Sequence, residues 1–515
     1  MTPVWTSTVG APRLARMLNA PGTGADAGTD RTGPTRPGAS GADRRSEPAY
    51  RSLAEGIRML VAEGRLPTAA RLPAERELAA ALSVSRTTVA AAFQRLRAEG
   101  WIASRRGSGS WTTVPAGRPL PTRGLDPLPP DGDPGVIDLG YAALPAPQEL
   151  LTRAFTGALD ALPPAARTHG DFPAGLPALR EALADRYTAR GVSTMPEQIM
   201  VTTGAMGGLA AVRRLFAPPG ERVAVEHPSY ANVLQLMRQS GLRLVPVAMR
   251  EGLGGWDLPA WRAVLRGGAP RLAYVVADYH NPTGALAPDD ARRELVAAAR
   301  AAGTVLIVDE TMADLRLDTP PEGIPRPVAA LDPGGAAVVT VGSASKTFWA
   351  GLRIGWVRAA PELIRRLVAG RAHADLGSPV LEQLALTWLL TGDGWDEAVR
   401  LRRAEVRVNR DALVEALRRH LPDWRFEVPS GGLTLWTRTG GVSGSRIAET
   451  GERLGVRVPS GPRFGIDGAF DGHLRLPFTL PPVVAVEAVT RLAAAARAVA
   501  DGRLGTVGAP GDYIA

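Results

Sequence analysis

The sequence predicts a two-part chain: a small helical unit closing on a hairpin, then a large α/β domain with a mainly parallel sheet. Three observations predict it. From about Val136 to Gly502, short apolar runs alternate with amphipathic helical stretches, the pattern of strands joined by crossover helices. Between Pro48 and Thr113 the apolar spacing is helical and ends in a Gly/Ser hairpin signal. Residues 21–47 and 114–135, rich in Gly and Pro, separate and precede these patterns. The expected division is 1–47, a mostly flexible segment with a short helix around Leu14 to Leu18; 48–113, the helical unit; 114–135, a Pro-rich linker; 136–502, the α/β domain; and 503–515, a tail.

Composition narrows the function. The 515 residues are 45% apolar and 22% charged, as in ordinary globular proteins, with room for at least two domains. The absence of cysteine excludes disulfides, thiolate metal sites and Cys nucleophiles, and no metal is expected. No apolar run is long enough for a bilayer, and residues 1–20 lack the apolar core of a signal peptide; a cytoplasmic protein with no membrane partner is expected. The net charge is +9, and between Asp43 and Thr113 twelve Arg face seven Asp and Glu, a balance that suits a nucleic-acid partner. All but one of the 60 basic residues are arginine; the exception is Lys346. Arg replaces Lys wherever only charge is needed, but not where a deprotonatable amine must form a Schiff base.

In the helical unit, Leu53, Ile57, Leu60 and Val61 share one face. Pro73-Ala74-Glu75-Arg76-Glu77-Leu78 opens a second helix. Ser83-Val84-Ser85 is a turn, and Ser85 can N-cap a third helix running through Phe93 and Leu96. Arg86, Thr87 and Thr88 crowd that helix's N-terminus, the end that enters the major groove in helix-turn-helix proteins. Trp101-Ile102-Ala103-Ser104 and Ser110-Trp111-Thr112-Thr113 then flank Arg105-Arg106-Gly107-Ser108-Gly109, a two-stranded wing with a basic, glycine-rich tip. The runs LPAERELA, VSRTTV and LRAEGWIASRRGSGS resemble the GntR-type winged helix. The resemblance implies a double-stranded DNA operator as partner. It also implies DNA contacts from Arg76, Ser85, Arg86, Thr87 and Thr88, and from the wing residues Arg106, Gly107, Ser108 and Gly109.

Five stretches of the large domain place polar residues where strands end, the place where open α/β sheets bind ligands. Strand Ile199 to Thr203 runs through Gly204 into a helix starting at Ala205 and Met206, an anion site of backbone N–H groups. Tyr230 follows the run Val223 to His227, where it can stack on a flat ring. Asn281-Pro282-Thr283-Gly284 is a turn after Tyr274-Val275-Val276, with an amide able to donate to a phenolate. Asp309 closes the apolar run Val305 to Val308, a costly position unless a cation pairs it; a protonated pyridine would. Lys346 lies in the loop Gly342-Ser343-Ala344-Ser345 after another strand, with Arg353 downstream, hydroxyls and a guanidinium that suit a phosphate.

In this order and spacing, the five stretches resemble fold-type I aminotransferases, together with Gly170 to Ala184 (GDFPAGLPALREALA). The resemblance implies a large sheet with a small C-terminal α+β part, and pyridoxal 5'-phosphate held as an aldimine on Lys346. It assigns Asp309 to the pyridine nitrogen, Asn281 to the ring hydroxyl and Tyr230 to stacking. It puts Ala205, Met206, Ser343, Ser345 and Arg353 around the phosphate. Arg475, in His473-Leu474-Arg475-Leu476-Pro477-Phe478, matches the arginine that grips an amino acid's carboxylate. One departure stands out. The tyrosine that the family carries two or three residues after its aspartate, donating to the ring hydroxyl, is replaced by Thr311 and Met312. Thr311 can donate only at shorter reach, so efficient turnover is not expected.

Winged helix plus aminotransferase-like domain is the pattern of the MocR subfamily of GntR-type transcriptional regulators. It implies a homodimer, each head resting on the partner's large domain, with an amino compound or a vitamin B6 form as effector. The rivals are an active aminotransferase with an appended DNA-binding domain, and a DNA-binding protein whose large domain is only a dimer scaffold.

Overall fold

The computed structural model describes residues 7–19, 48–105, 108–115, 125, 135–250, 255–320 and 323–502. Arg106 and Gly107 of the expected wing tip, and the tail 503–515, lie outside them.

The head contains β1 (Ser7–Thr8), α1 (Ala11–Asn19), α2 (Ala49–Ala62), β2 (Ala70–Arg71), α3 (Glu75–Leu82), α4 (Arg86–Ala98), β3 (Ile102–Arg105) and β4 (Gly109–Thr112). On α2, Leu53, Ile57, Leu60 and Val61 are all buried, the expected face. Glu75 and Glu77 sit in the first turn of α3, where the helix dipole favours them. Ser83 ends α3 in a left-handed conformation (φ 56°), and the Ser85 hydroxyl caps α4 by accepting from the Thr88 N–H at 3.0 Å. The wing pairs β3 with β4 antiparallel, in a small sheet ordered β1-β2-β4-β3.

The head starts earlier than the expected boundary at Pro48. β1 pairs parallel with β2, and Val9, Leu14, Ala15 and Leu18 are buried with Leu78, Val89 and Phe93 in one core. Residues 7–19 are thus part of the head, and α1 is the short helix expected around Leu14 to Leu18. Leu14 and Leu18 lie four apart on one face, and α3 covers that face.

The large domain contributes β5 (Ile137–Asp138), α5 (Gln148–Ala166), α6 (Pro177–Ala189), β6 (Ile199–Thr203), α7 (Gly204–Phe216), β7 (Arg222–His227), α8 (Ala231–Gln239), β8 (Arg243–Ala248), β9 (Leu272–Val275), β10 (Val305–Asp309), β11 (Val338–Ser343) and β12 (Ile354–Arg358). Its seven-stranded sheet is ordered β6-β12-β11-β10-β9-β7-β8, parallel except for β12. Both faces are covered over the central strands, so β6, β9, β10 and β11 are almost wholly buried and read as largely apolar runs. Leu306 and Val308 enter one core with Val201, Val275 and Phe348; Ile307 enters the other with Met200, Leu209 and Val225.

The small C-terminal part holds β13 (Thr434–Arg438), β14 (Val456–Arg457) and β15 (His473–Pro477). β13 pairs antiparallel with β15, and β14 pairs with β5 from the start of the domain. Helices Gly394–His420, Gly444–Arg453 and Pro482–Ala500 close this part over Leu413, Leu435, Ile447, Leu474 and Leu492. The head rests on the large domain of its own chain. Arg58 of α2 pairs with both Glu55 and Glu449, and the Ser460 hydroxyl donates to Glu63 at 3.0 Å.

Candidate cofactor site and nucleic-acid interface

The loops leaving β6, β9, β10 and β11 and the turn entering β12 converge on one end of the sheet. Because β12 runs against its neighbours, its first residue, Ile354, lies beside Thr203, the last of β6. Gly204 then turns with φ 68° into α7. The close approach depends on Gly355: a Cβ there would fall 2.5 Å from Gly204 C and 2.7 Å from the Ala205 nitrogen. No side chain caps α7, so the N–H groups around Ala205 and Met206 face outward. Arg353, left-handed at φ 55°, brings its guanidinium over this helix start; a Cβ on Gly204 would meet its Nη2 at 3.0 Å. Ser343 and Ser345 share a hydroxyl–hydroxyl bond of 2.9 Å in the adjoining loop. Helix start, two hydroxyls and guanidinium make a cup for a dianion.

Asp309 is 4% exposed at the end of β10. Tyr274 donates to its Oδ2 at 2.7 Å, and the Thr311 N–H donates to its Oδ1 at 2.9 Å. Burial still holds this carboxyl above its ordinary range, against the opposing pull of Thr311, Tyr274 and Lys346. A ring nitrogen bearing a proton would relieve that cost. Asn281 is buried too, and its Oδ1 has no partner among the described residues.

Lys346 donates from Nζ to the Ala142 carbonyl at 2.7 Å and lies 5.0 Å from the centre of the Tyr141 ring. Burial, then the positive charges of Arg475 and Arg353, push its amine down to about 8, with Asp309 opposing. Near neutral pH a far larger fraction of this amine is therefore unprotonated than of an ordinary lysine, which makes it a better nucleophile. Tyr230 immediately precedes α8, its phenol raised by burial and by Tyr141 and Asp309, with Arg475 and Arg353 pulling the other way.

Arg475 is 1% exposed on β15, opposite Trp436 of β13. Its Nη2 donates to the Gly140 carbonyl at 2.6 Å, its Nε has no partner among the described residues, and its guanidinium lies 5.3 Å from the Phe464 ring centre. Burial pushes it down to about 10. A buried guanidinium with a free donor and no carboxylate partner among the described residues fits an incoming carboxylate.

Two expected positions behave differently. The Thr311 backbone N–H donates to Asp309 Oδ1 at 2.9 Å, which holds this residue against the carboxylate. Met312 is 2% exposed and packs in the core of the small part. Sequence reasoning also missed Tyr274, Tyr141 and Phe464. The only signal for Tyr274 is a polar-tipped residue inside an apolar strand; its pairing with Asp309 follows from the β9–β10 register.

On the head, Arg76, Ser85, Arg86 and Thr87 are exposed and Thr88 is half-buried, all at the α3–α4 corner. Arg86 is 73% exposed, with only a loose 3.7 Å contact to Glu75. Ser108 and Gly109 (φ 87°) carry the described side of the wing turn. Among the described residues no helix is long and apolar enough to cross a membrane, and no His/Cys/Asp/Glu group could hold a metal.

Comparison with known proteins agrees with this geometry. Residues 137–492 match the family "Aminotransferase class I and II", and residues 49–111 match "Bacterial regulatory proteins, gntR family". The chain is 27% identical to the uncharacterized HTH-type transcriptional regulator YisV of Bacillus subtilis, covering 76% of this chain and 84% of that protein. It is 29% identical to the probable rhizopine catabolism regulatory protein MocR of Rhizobium meliloti, covering 73% and 78%. Among solved structures it resembles the α-aminoadipate aminotransferase LysN of Thermus thermophilus, complexed with N-(5'-phosphopyridoxyl)-L-leucine. The TM-score is 0.63 at 29% identity, over 72% of this chain and 94% of that one.

Proposed function

The chain belongs to the aminotransferase class I and II family and joins that domain to a gntR-type head, the arrangement of MocR-subfamily regulators; from this premise we propose that its pyridoxal-phosphate domain senses a small amino compound or a vitamin B6 form and thereby sets how the head binds DNA. Bound pyridoxal phosphate supplies an aldehyde that reacts with amines and a ring that withdraws electrons. Lys346 offers the anchoring amine, Asp309 holds the ring-nitrogen proton, and Asn281 faces the ring hydroxyl. The N–H groups at Ala205 and Met206, with Ser343, Ser345 and Arg353, bind phosphate. Tyr230 packs on the ring, and Arg475 takes the ligand's carboxylate. In the cytoplasm, as a homodimer, the head reads its operator through Arg76, Ser85, Arg86, Thr87 and Thr88, with the wing at Ser108 and Gly109.

The observation that carries the sensing role is the path from Arg475 to the head. Arg475 lies against Phe464, and Phe464 is buried with Ala231 and with Leu125 of the linker. The Arg475 N–H contacts the Pro459 carbonyl, and the next residue, Ser460, bonds Glu63 of the head. A carboxylate that draws the guanidinium off Phe464 shifts a segment gripping both linker and head. Transmission requires that ligand favour one of the two arrangements.

The test is operator affinity with and without candidate amino acids and B6 forms, in the wild type and in Arg475→Ala. The expected result is a ligand-dependent change that Arg475→Ala abolishes while Lys346 still carries the cofactor. Ligand-indifferent DNA binding would overturn the reading. The alternative, an active aminotransferase with an appended DNA-binding domain, draws on the same Lys346, Asp309 and Arg475; rapid multiple turnover to a keto acid would establish it.

A further inference from the structure

Away from the cofactor cradle, a cleft of about 820 Å³ opens where head meets large domain, a volume typical of small-molecule sites. Its walls carry Arg13, Arg16 and Arg65 from the head, and Arg238 and Arg463 from the large domain. Among the described residues only two carboxylates, Glu63 and Asp467, line it with them. Glu63 is already engaged, accepting from Ser460 at 3.0 Å and from Arg65 at 3.3 Å. Among the described residues neither Arg13 nor Arg16 forms an ion pair. Arg238 donates to the Gly465 carbonyl at 2.8 Å and makes no ion pair among the described residues. Its pKa is held down by burial and by the charge of Arg65, with Asp467 opposing. Gln235, Gln239 and Thr68 add neutral hydrogen-bonding groups.

The like charges come from both bodies, so they repel across the cleft. Arg65 is pressed against Gly468, where a Cβ would fall 2.1 Å from its Nη2, so the two surfaces touch beside that repulsion. An anion seated between them would turn repulsion into a bridge. Guanidinium forks are suited to phosphate and carboxylate oxygens.

We propose that this cleft is a second ligand site, separate from the Arg475 site, that takes a small molecule with two or more negative charges on phosphate or carboxylate groups and clamps the head to the large domain.

The test is calorimetric titration of cofactor-loaded protein with inorganic pyrophosphate and, separately, citrate, at fixed ionic strength. One saturable site per chain is expected, weakened at least tenfold in Arg238→Ala and in Arg16→Glu, and retained in Arg475→Ala. Arg16 is exposed, so its variant keeps the test valid if Arg238→Ala does not fold. Pyrophosphate binding alone identifies a phosphate ligand, and citrate binding alone a polycarboxylate; either supports the site. The bound anion should also shift operator affinity at least threefold in the wild type and not in the two cleft variants. Absence of saturable binding would overturn the proposal. So would binding unaffected by Arg238→Ala and Arg16→Glu, or binding lost in Arg475→Ala. If the cleft variants weaken DNA binding equally with and without anion, the arginines belong to the DNA surface and the proposal also fails.

Discussion

Tyr274→Phe removes one oxygen from the site and should weaken cofactor binding without disturbing the fold. Tyr274 is fully buried, and its hydroxyl donates to Asp309 Oδ2 at 2.7 Å. Burial already drives the Asp309 carboxyl upward, and this bond is one of the few groups opposing it. A hydrogen bond to a charged group is worth about 1.5–3 kcal/mol, and each 1.4 kcal/mol is tenfold in an equilibrium constant. Without it, Asp309 must be ionised at the expense of cofactor binding. Affinity for pyridoxal phosphate at neutral pH should therefore fall on the order of 10- to 100-fold. The sign with pH follows. A raised carboxyl is ionised as pH rises, so the deficit should shrink toward alkaline pH and grow toward acid. The assay is equilibrium titration of the apo-protein followed by absorbance, between pH 6 and 9. An affinity within twofold of wild type across that range would refute the reasoning.

Because burial and Arg475 push the Lys346 amine down to about 8, the rate of cofactor capture by apo-protein should rise with pH through a midpoint near 8. Stopped-flow traces should show that midpoint move upward in Arg475→Ala, and borohydride should trap no cofactor on Lys346→Ala. Arg86→Ala should cost about 1–3 kcal/mol at one operator position if Arg86 reads a guanine, as scored by binding to single-base operator variants. His227, pushed down to about 4 chiefly by burial, accepts from the Ile466 N–H at 3.0 Å. Its folded pKa lies below the unfolded value, so it leaves stability unchanged above about pH 6.5 and costs up to roughly 3 kcal/mol as pH falls through 4. Melting temperature against pH should fall less steeply in His227→Gln.

By itself, the sequence determined the features whose physics is local. Ser85 caps α4 because a hydroxyl before a helix meets that helix's own N–H groups. Asp309 and Lys346 were legible because one ends an apolar strand run and the other lies in the loop just after one, and strand ends of such sheets gather at one edge. Leu53, Ile57 and Leu60 marked a buried face through spacing alone. What the tertiary structure decided was which distant groups meet. Nothing near Tyr274 states that it faces Asp309, 35 residues on; the register of β9 against β10 places it there. Thr311 and Met312 are neighbours, yet one turns to Asp309 and the other into the core, a choice made by packing. Leu14 and Leu18 showed a helix but not its partner, and Arg65 gave no sign of meeting Gly468. Propensity and periodicity act over a turn or a strand, whereas register, docking and the fate of a buried charge depend on surfaces brought together only when the whole chain has packed.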